Sequence, residues 1–336
     1  MAATDSHPAI PAIRQASREM VRELGFLTGH VASSDLTFAR CHALLELERA
    51  GALTAGELAA IINVDRSCAS RTLQQLVQAG LAQNCTDNAD ARRKPVTLTT
   101  AGRRQLRAVH EQANRQVASA LELLDDTGRA TVSEGLRLYA QALRRSRLQA
   151  AYRIRPIRRA DEPAVAAIIR RVMTEHGASG EGFSIMDPEV DHMHAAYRGP
   201  RAGFSVVEHI ATGRLAGVAG FARLAGSDDP TICELRKMYY LPELRGLGLG
   251  ARMMQLVLAD AAAAGFDTCY LETLNSMHRA RRLYEAFGFR PLPGPLGCTG
   301  HTRCDSWYSL DLREHPAHVP LRTSKTKAKK RMKKPR

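Results

Sequence analysis

No uninterrupted apolar run among the 336 residues approaches the roughly 20 that a membrane-spanning helix needs. The N-terminus lacks the basic-then-apolar layout of a secretory signal. Together these absences lead us to expect a soluble, cytoplasmic protein with no membrane partner. The seven cysteines, at positions 41, 68, 85, 233, 269, 298 and 304, are odd in number, scattered, and never in CxxC or Cys/His metal spacing. That argues against both a disulfide framework and a zinc site, so we expect reduced, mostly buried thiols and no metal. His301 lies between Cys298 and Cys304, but three such residues in one turn-rich loop are expected to line it rather than hold an ion. No internal repeat is visible. With 44% apolar residues the chain is not disordered throughout, and its length suffices for two domains of ordinary size.

Negative charge is the scarcer sign: 48 Lys/Arg against 34 Asp/Glu give a net +14. The excess is concentrated at one end. From Glu314 onward nine Lys/Arg face a single Glu, a net +8 that leaves +6 for residues 1–313. "KTKAKKRMKKPR" has eight basic residues in twelve and nothing apolar enough to fold, so residues 314–336 read as a disordered, solvated polycation. Such a tail binds phosphate-rich polymers without sequence preference, and its grip fades steeply with salt. A purely solubilising tail is the alternative.

Residues 9–149 carry helical patterns with little strand character outside 81–99. At "AAYRIRPIRRAD" the texture changes: a short alternating strand, 152–158, opens a region of interleaved strands and helices. The expected domains are 1–149 and 152–313, followed by the tail. Within the first, "TAGELAAIINVDRSCASRTLQQLVQAGLA" reads as two helices broken at Asn63-Val64. The first packs Leu58, Ile61 and Ile62; the second is capped by Asp65 or Ser67 and repeats apolar residues at Ala69, Leu73, Leu76 and Val77. That is a helix-turn-helix layout, in which the early outward residues of the second helix reach base edges and phosphates. Here these are Arg66, Ser67, Ser70, Arg71 and Gln74. Two strands, 81–85 and 95–98, then flank a basic turn with Arg92, Arg93 and Lys94, a wing whose arginines suit a narrow minor groove. A long helix capped by Thr99 or Thr100 follows, with an apolar stripe through Leu106, Val109, Ala113 and Val117. A further helix aligns Val132, Leu136, Tyr139 and Leu143.

Through "VDRSCASRTLQQLVQAGL", Asp90-x-Arg92-x-Lys94 and "VTLTTAG", residues 1–148 resemble the MarR family of winged helix-turn-helix regulators. The resemblance implies a mostly α fold with a β wing, and a homodimer built by the first and last two helices. It also implies binding to a pseudo-palindromic site on double-stranded DNA. By that likeness Ser67, Ser70, Arg71 and Gln75 face the major groove and Arg92 the minor groove, with Arg93 and Lys94 beside it.

The second half turns on "KMYYLPELRGLGLGARMMQLVL". A Walker A loop needs Gly-Lys-Ser/Thr, and Ala251-Arg252 stand there instead. Gly246-x-Gly248-x-x-Ala251 satisfies the dinucleotide fingerprint literally, with Glu272 at a suitable distance, but the fingerprint's first glycine should end its strand. Here the strand, 232–239, stops first and Leu241-Pro242-Glu243-Leu244-Arg245 intervene, and too few residues follow for the rest of a doubly wound sheet. The remaining reading is a coenzyme A diphosphate loop: glycines let backbone N–H groups at a helix N-terminus close on a diphosphate, and Arg245 adds charge. Downstream come a strand (269–274), a helix (277–287) and a glycine stop.

Arg245-x-x-Gly248-x-Gly250, followed by Leu283-Tyr284-x-x-x-Gly288-Phe289, resembles the GNAT acetyltransferase superfamily over residues 152 to about 312. The resemblance implies an α/β fold whose mixed central sheet is splayed beside the loop, and acetyl-CoA as cosubstrate. It places Met238, Tyr239 and Tyr240 against the acetyl and pantetheine portion. Arg245, Gly246, Leu247, Gly248, Leu249, Gly250 and Ala251 would hold the diphosphate. Where the family often has asparagine, seven residues before the tyrosine, this chain has Met277; Asn275 is the candidate replacement.

Acetyl transfer to an amine poses two proton problems. An alkylammonium with a pKa of about 10.4 is neutral in only about one molecule in a few thousand at pH 7, so a base must take its proton. The departing thiolate must gain one. Tyr284 sits where the family keeps its acid. For the base we expect Glu234, with Glu272 second, although a glutamate near 4.3 serves only if its site raises it or a water relays the proton. Glu175, Glu181, Asp187 and His192, in the turn-rich segment before the second strand, are candidates to meet a cationic acceptor. Two function classes follow. One is a bifunctional transcriptional regulator and acetyl-CoA-dependent N-acetyltransferase acting on a small amine or a protein lysine. The other is a DNA-binding regulator whose acetyltransferase fold only senses acetyl-CoA.

Overall fold

The computed structural model describes residues 7–28, 36–85 and 93–314. Arg92, Asp90 and the basic tail lie outside the described residues. The chain forms two compact units divided between Glu134 and Gly135. That division falls within a helix.

The first unit comprises α1 (Ile10–Glu23), α2 (Phe38–Ala50), β1 (Ala52–Leu53), α3 (Ala55–Ile62), α4 (Arg66–Gln78), β2 (Ala82–Asn84), β3 (Val96–Leu98), α5 (Thr100–Glu122) and the start of α6 (Asp126–Ala150). Its helix boundaries follow from local caps. Thr54 and Glu57 form a reciprocal capping box at the start of α3. Asn63 ends it in the left-handed region at φ 60°, where its short polar side chain is tolerated. Asp65 then accepts a hydrogen bond from the Cys68 N–H to open α4. The result is the expected pair of helices joined by a tight turn. Leu44, Leu47, Leu58, Leu73, Leu76, Leu98 and Leu106 form the core. The wing is smaller than its sequence signal: β2 and β3 pair antiparallel over three residues each. A third strand that the pattern did not announce, β1, pairs with the outer side of β3.

On α5 the apolar stripe is buried only at its start, at Leu106 and Val109; Val117 is exposed. On α6 the row Val132, Leu136, Tyr139 and Leu143 is 40 to 53% exposed. The row is heptad-like, and among the described residues nothing covers it.

The second unit holds the rest of α6, then β4 (Tyr152–Pro156), α7 (Glu162–Glu175), α8 (Met193–Ala196), β5 (Ala202–His209), β6 (Leu215–Arg223) and β7 (Ile232–Tyr240). It continues with α9 (Leu249–Ala263), β8 (Thr268–Thr273), α10 (His278–Ala286), β9 (Arg290–Leu292) and β10 (Ser306–Asp311). The strands form one mixed sheet in the order β4-β5-β6-β7-β8-β10-β9. β4 to β7 pair antiparallel, β7 and β8 run parallel, and β10 joins β8 and β9 antiparallel. β6 is buried at seven consecutive positions, which requires cover on both faces. Both α7 and α9 pack on it.

Two irregularities shape the site. β7 and β8 pair only from Ile232–Thr268 to Glu234–Tyr270, although β7 continues to Tyr240; beyond Glu234 the strands part. On its other side, β7 shifts register against β6 between Val218 and Gly220. There Lys237 takes φ 54°, in the left-handed region. A lysine held there costs on the order of 1 kcal/mol and persists only because surrounding contacts fix it.

The cysteines are less sequestered than expected. All are free, but only Cys41, Cys233 and Cys269 are buried; Cys298 is exposed.

Candidate active site and nucleic-acid interface

The turn between β7 and α9 is built by two glycines in the left-handed region, Gly246 at φ 79° and Gly248 at φ 83°. Gly248 is the N-cap of α9 and brings no side chain to cap it. The first amides of the helix therefore face outward without intrahelical partners, the condition for holding an anion. Leu249, fully buried, anchors the turn to the core. Beside it runs a groove of about 1,190 Å³. Of the sequence-predicted coenzyme residues, Met238, Tyr239, Tyr240, Arg245, Gly246, Gly248, Gly250 and Ala251 line it, joined by residues of α10 and by Tyr284. Leu247 and Leu249 do not line it.

Asn275 is elsewhere. It is exposed, its side-chain oxygen accepts from Arg281, and its N–H donates to Asp305 at 2.6 Å. Arg245, expected as a charge for phosphates, is already engaged. Its guanidinium makes a two-pronged contact with Glu175, one prong at 2.7 Å, and donates to the Tyr240 carbonyl at 3.1 and 3.2 Å. It fastens the end of β7 to the end of α7. By contrast, the buried Tyr240 hydroxyl has no hydrogen-bond partner among the described residues.

A smaller cavity of about 80 Å³ opens where β7 and β8 part, lined by Glu234, Lys237, Glu272, Tyr284, His301 and Cys304 among others. Glu234 is 3% exposed. Burial raises its pKa, even though Arg236 Nε donates to its Oε2 at 2.6 Å. Glu272 differs: burial pushes it up, but hydrogen bonds from His301, Tyr270 and Thr299 outweigh that and hold it below the usual range. Tyr284, 7% exposed, borders both the cavity and the groove. Burial, with Cys304 and Tyr308 near it, raises its phenol well above the normal value, so it stays protonated.

His301 is the residue the sequence reading set aside. Its Nε2 lies 3.1 Å from Asp187 Oδ2, and its Nδ1 lies 3.5 Å from Glu272 and 3.9 Å from Glu234. Burial would lower its pKa, but the hydrogen bonds to Asp187 and Glu272 raise it to about 9. Asp187 also meets the ammonium of Lys237, which donates to the Ser184 carbonyl at 3.0 Å. That pair holds the left-handed Lys237 in place. Of the four acceptor-loop candidates, only Asp187 joins this cluster. Glu175 binds Arg245, and Glu181 and His192 are exposed and do not line the cavity.

On the first unit, α4 turns Arg66, Ser67, Ser70, Arg71, Gln74 and Gln75 outward while Ala69, Thr72, Leu73 and Leu76 face the core. Ser67 also donates to Asp65 at 2.5 Å, and Gln75 accepts from Arg40 at 3.2 Å, which brings an unanticipated arginine beside the row. Arg93 turns to Glu57 at 2.7 Å, an exposed pair of little energetic weight. Lys94 is exposed.

Residues 170–289 match the profile of the acetyltransferase (GNAT) family, and residues 34–93 that of the MarR family. The chain is 40% identical over 146 residues to the Escherichia coli (strain K12) protein named uncharacterized N-acetyltransferase YjgM, covering 43% of this chain and 86% of that one. The Salmonella typhimurium acetyltransferase yncA, solved with its cofactor acetyl-CoA, is similar at 21% identity and a TM-score of 0.40, over 49% of this chain and 95% of that one. Wild-type apo MarR from E. coli is similar at 23% identity and a TM-score of 0.33, over 40% of this chain and 98% of that one.

Proposed function

We propose, for a chain that belongs to the acetyltransferase (GNAT) family and joins to it a MarR-family half, that it transfers an acetyl group from acetyl-CoA to a compact amine and binds double-stranded DNA as a homodimer. One observation carries the enzymatic reading. Tyr284 stands at the junction of two spaces, a long groove with a glycine turn at a helix N-terminus and a small cavity with a buried, raised carboxyl at Glu234. The groove suits the coenzyme: its glycine turn leaves room and open amides for a diphosphate, and the Tyr240 hydroxyl, unpaired among the described residues, can meet a polar partner.

When bound, acetyl-CoA supplies the activated acyl carbon. The chain's own groups manage the protons. In this reading Glu234 takes the proton of the entering ammonium, and its raised pKa, which brings it nearer the amine's, supports that role. The carbon–sulfur bond breaks as the carbon–nitrogen bond forms, the thiolate takes the proton of the Tyr284 hydroxyl, and the proton left on the new amide nitrogen restores the phenol. Glu234 and Glu272 share the cavity lining with Arg236, Lys237 and His301, so charge alone does not select the acceptor; its size admits an amine head group rather than a bulky one.

The DNA-binding reading rests on the exposed polar row of α4 and the wing beside it, and the homodimer on the uncovered row of α6. The domains we assign are a regulator half through residue 149 and an acetyltransferase half from 152 to 313.

The test is acetyl-CoA-dependent release of thiol across a broad panel of amines and lysine peptides. At least one acceptor is expected to turn over, and Tyr284→Phe should slow it by about 10²-fold or more while sparing acetyl-CoA binding. Tight acetyl-CoA binding with no turnover on any amine would leave a sensor instead of an enzyme. A gel shift on random DNA at moderate and high salt separates recognition by α4 from nonspecific attraction.

A further inference from the structure

We propose that the last two turns of α6 form one wall of the diphosphate site, with Arg145 supplying charge to the phosphates and Gln149 holding the glycine turn in place. The inference rests on the reading of the groove as a coenzyme A site. It goes beyond that reading because α6 precedes the sheet and lies outside residues 170–289, which carry the acetyltransferase match.

Residues 145 and 149 are four apart and share a face of the helix. Gln149 Nε2 donates to the Leu247 carbonyl at 2.5 Å, fixing the turn from outside. The fit is close: a Cβ built on Gly248 would lie 2.8 Å from Gln149 Nε2 and 3.6 Å from Arg145 Cδ. Arg145 lines the groove with Gly246 and Gly248.

The electrostatics of the groove then become informative. Among its described lining residues are four arginines, Arg145, Arg245, Arg279 and Arg282, and no aspartate or glutamate. A wall of one sign calls for an anion. Arg245 is committed to Glu175 and the Tyr240 carbonyl. At the glycine turn, therefore, the arginine whose guanidinium is not engaged in an ion pair among the described residues is Arg145; Arg279 and Arg282 stand on α10. A guanidinium carries the forked donors that match phosphate oxygens.

The experiment is calorimetric titration of the full chain with acetyl-CoA at low and high salt, for wild type, Arg145→Ala, Arg145→Glu, Arg145→Lys and Gln149→Ala, with melting temperatures alongside. We expect Arg145→Ala to weaken binding about tenfold, roughly 1.4 kcal/mol. Arg145→Glu should weaken it further, and Arg145→Lys should retain most of the affinity. Gln149→Ala should weaken it several-fold. The Arg145→Ala loss should shrink at high salt, since a screened charge is what was removed. Wild type that fails to bind acetyl-CoA would sink the coenzyme reading itself. Wild-type binding that Arg145→Glu leaves within twofold, or a loss that ignores salt or tracks a lowered melting temperature, would overturn the assignment to α6 alone.

Discussion

His301 has a carboxylate at each ring nitrogen, Asp187 on one side and Glu272 on the other, and a proton shared in that way is hard to remove. In the unfolded chain the ring would titrate near 6.5; folded, it titrates near 9, because its partners outweigh the effect of burial. A folded pKa above the unfolded one favours the folded state fully below about pH 6.5, and that advantage disappears as pH rises through 9. We therefore expect the melting temperature to fall between pH 6.5 and 9, and to fall less in His301→Gln. An imidazole titration followed by NMR should place His301 near 9; a midpoint near 6.5 would mean that the two carboxylates do not grip it. Asp187 carries the complementary shift: burial pushes it up, but the His301 hydrogen bond and the charge of Lys237 bring it below the ordinary range. None of this was readable in the sequence. The partners of His301 lie at 187, 234 and 272, and residue spacing says nothing about groups that only a folded sheet brings together. Arg245 hid its pairing for the same reason, since Glu175 is 70 positions away.

Elements fared better, because their signals are local. The caps at Thr54, Asp65 and Thr99 each lie within three residues of the amide they satisfy, and the glycine turn announced itself by composition. β1 escaped notice because two residues cannot establish a period. The turn itself offers a paired test. Gly246 and Gly248 share the same left-handed backbone, but a Cβ at 246 would meet open space, whereas one at 248 would press on Gln149. Gly246→Ala should cost about 1–2 kcal/mol from backbone strain alone. Gly248→Ala should cost more, because the Gln149 amide must swing aside and lose its bond to the Leu247 carbonyl. Chemical denaturation of the two variants reads the difference, and equal losses would mean that the contact with α6 contributes nothing.

At the scale of the whole molecule, the two halves are each recognisable from motifs, but an exposed row is not something a single sequence displays. The sequence aligned Val132, Leu136, Tyr139 and Leu143 on one helix, and among the described residues the row stays exposed. Two copies meeting along α6 would close it. On the proposed homodimer, with one recognition helix for each half-site, Leu143→Glu should shift sedimentation velocity from dimer to monomer and abolish specific DNA binding. A variant that stays dimeric would place the contact elsewhere.

The parting of β7 from β8 beyond Glu234 has a consequence of its own. The strands forgo their ladder while the protein folds, not when a ligand arrives. Whatever enters finds a slot already open, so no part of its affinity is spent prying the sheet apart. The sheet is preorganised between β7 and β8, and the loss of pairing there is borne once, by folding stability, instead of being repeated in every binding event.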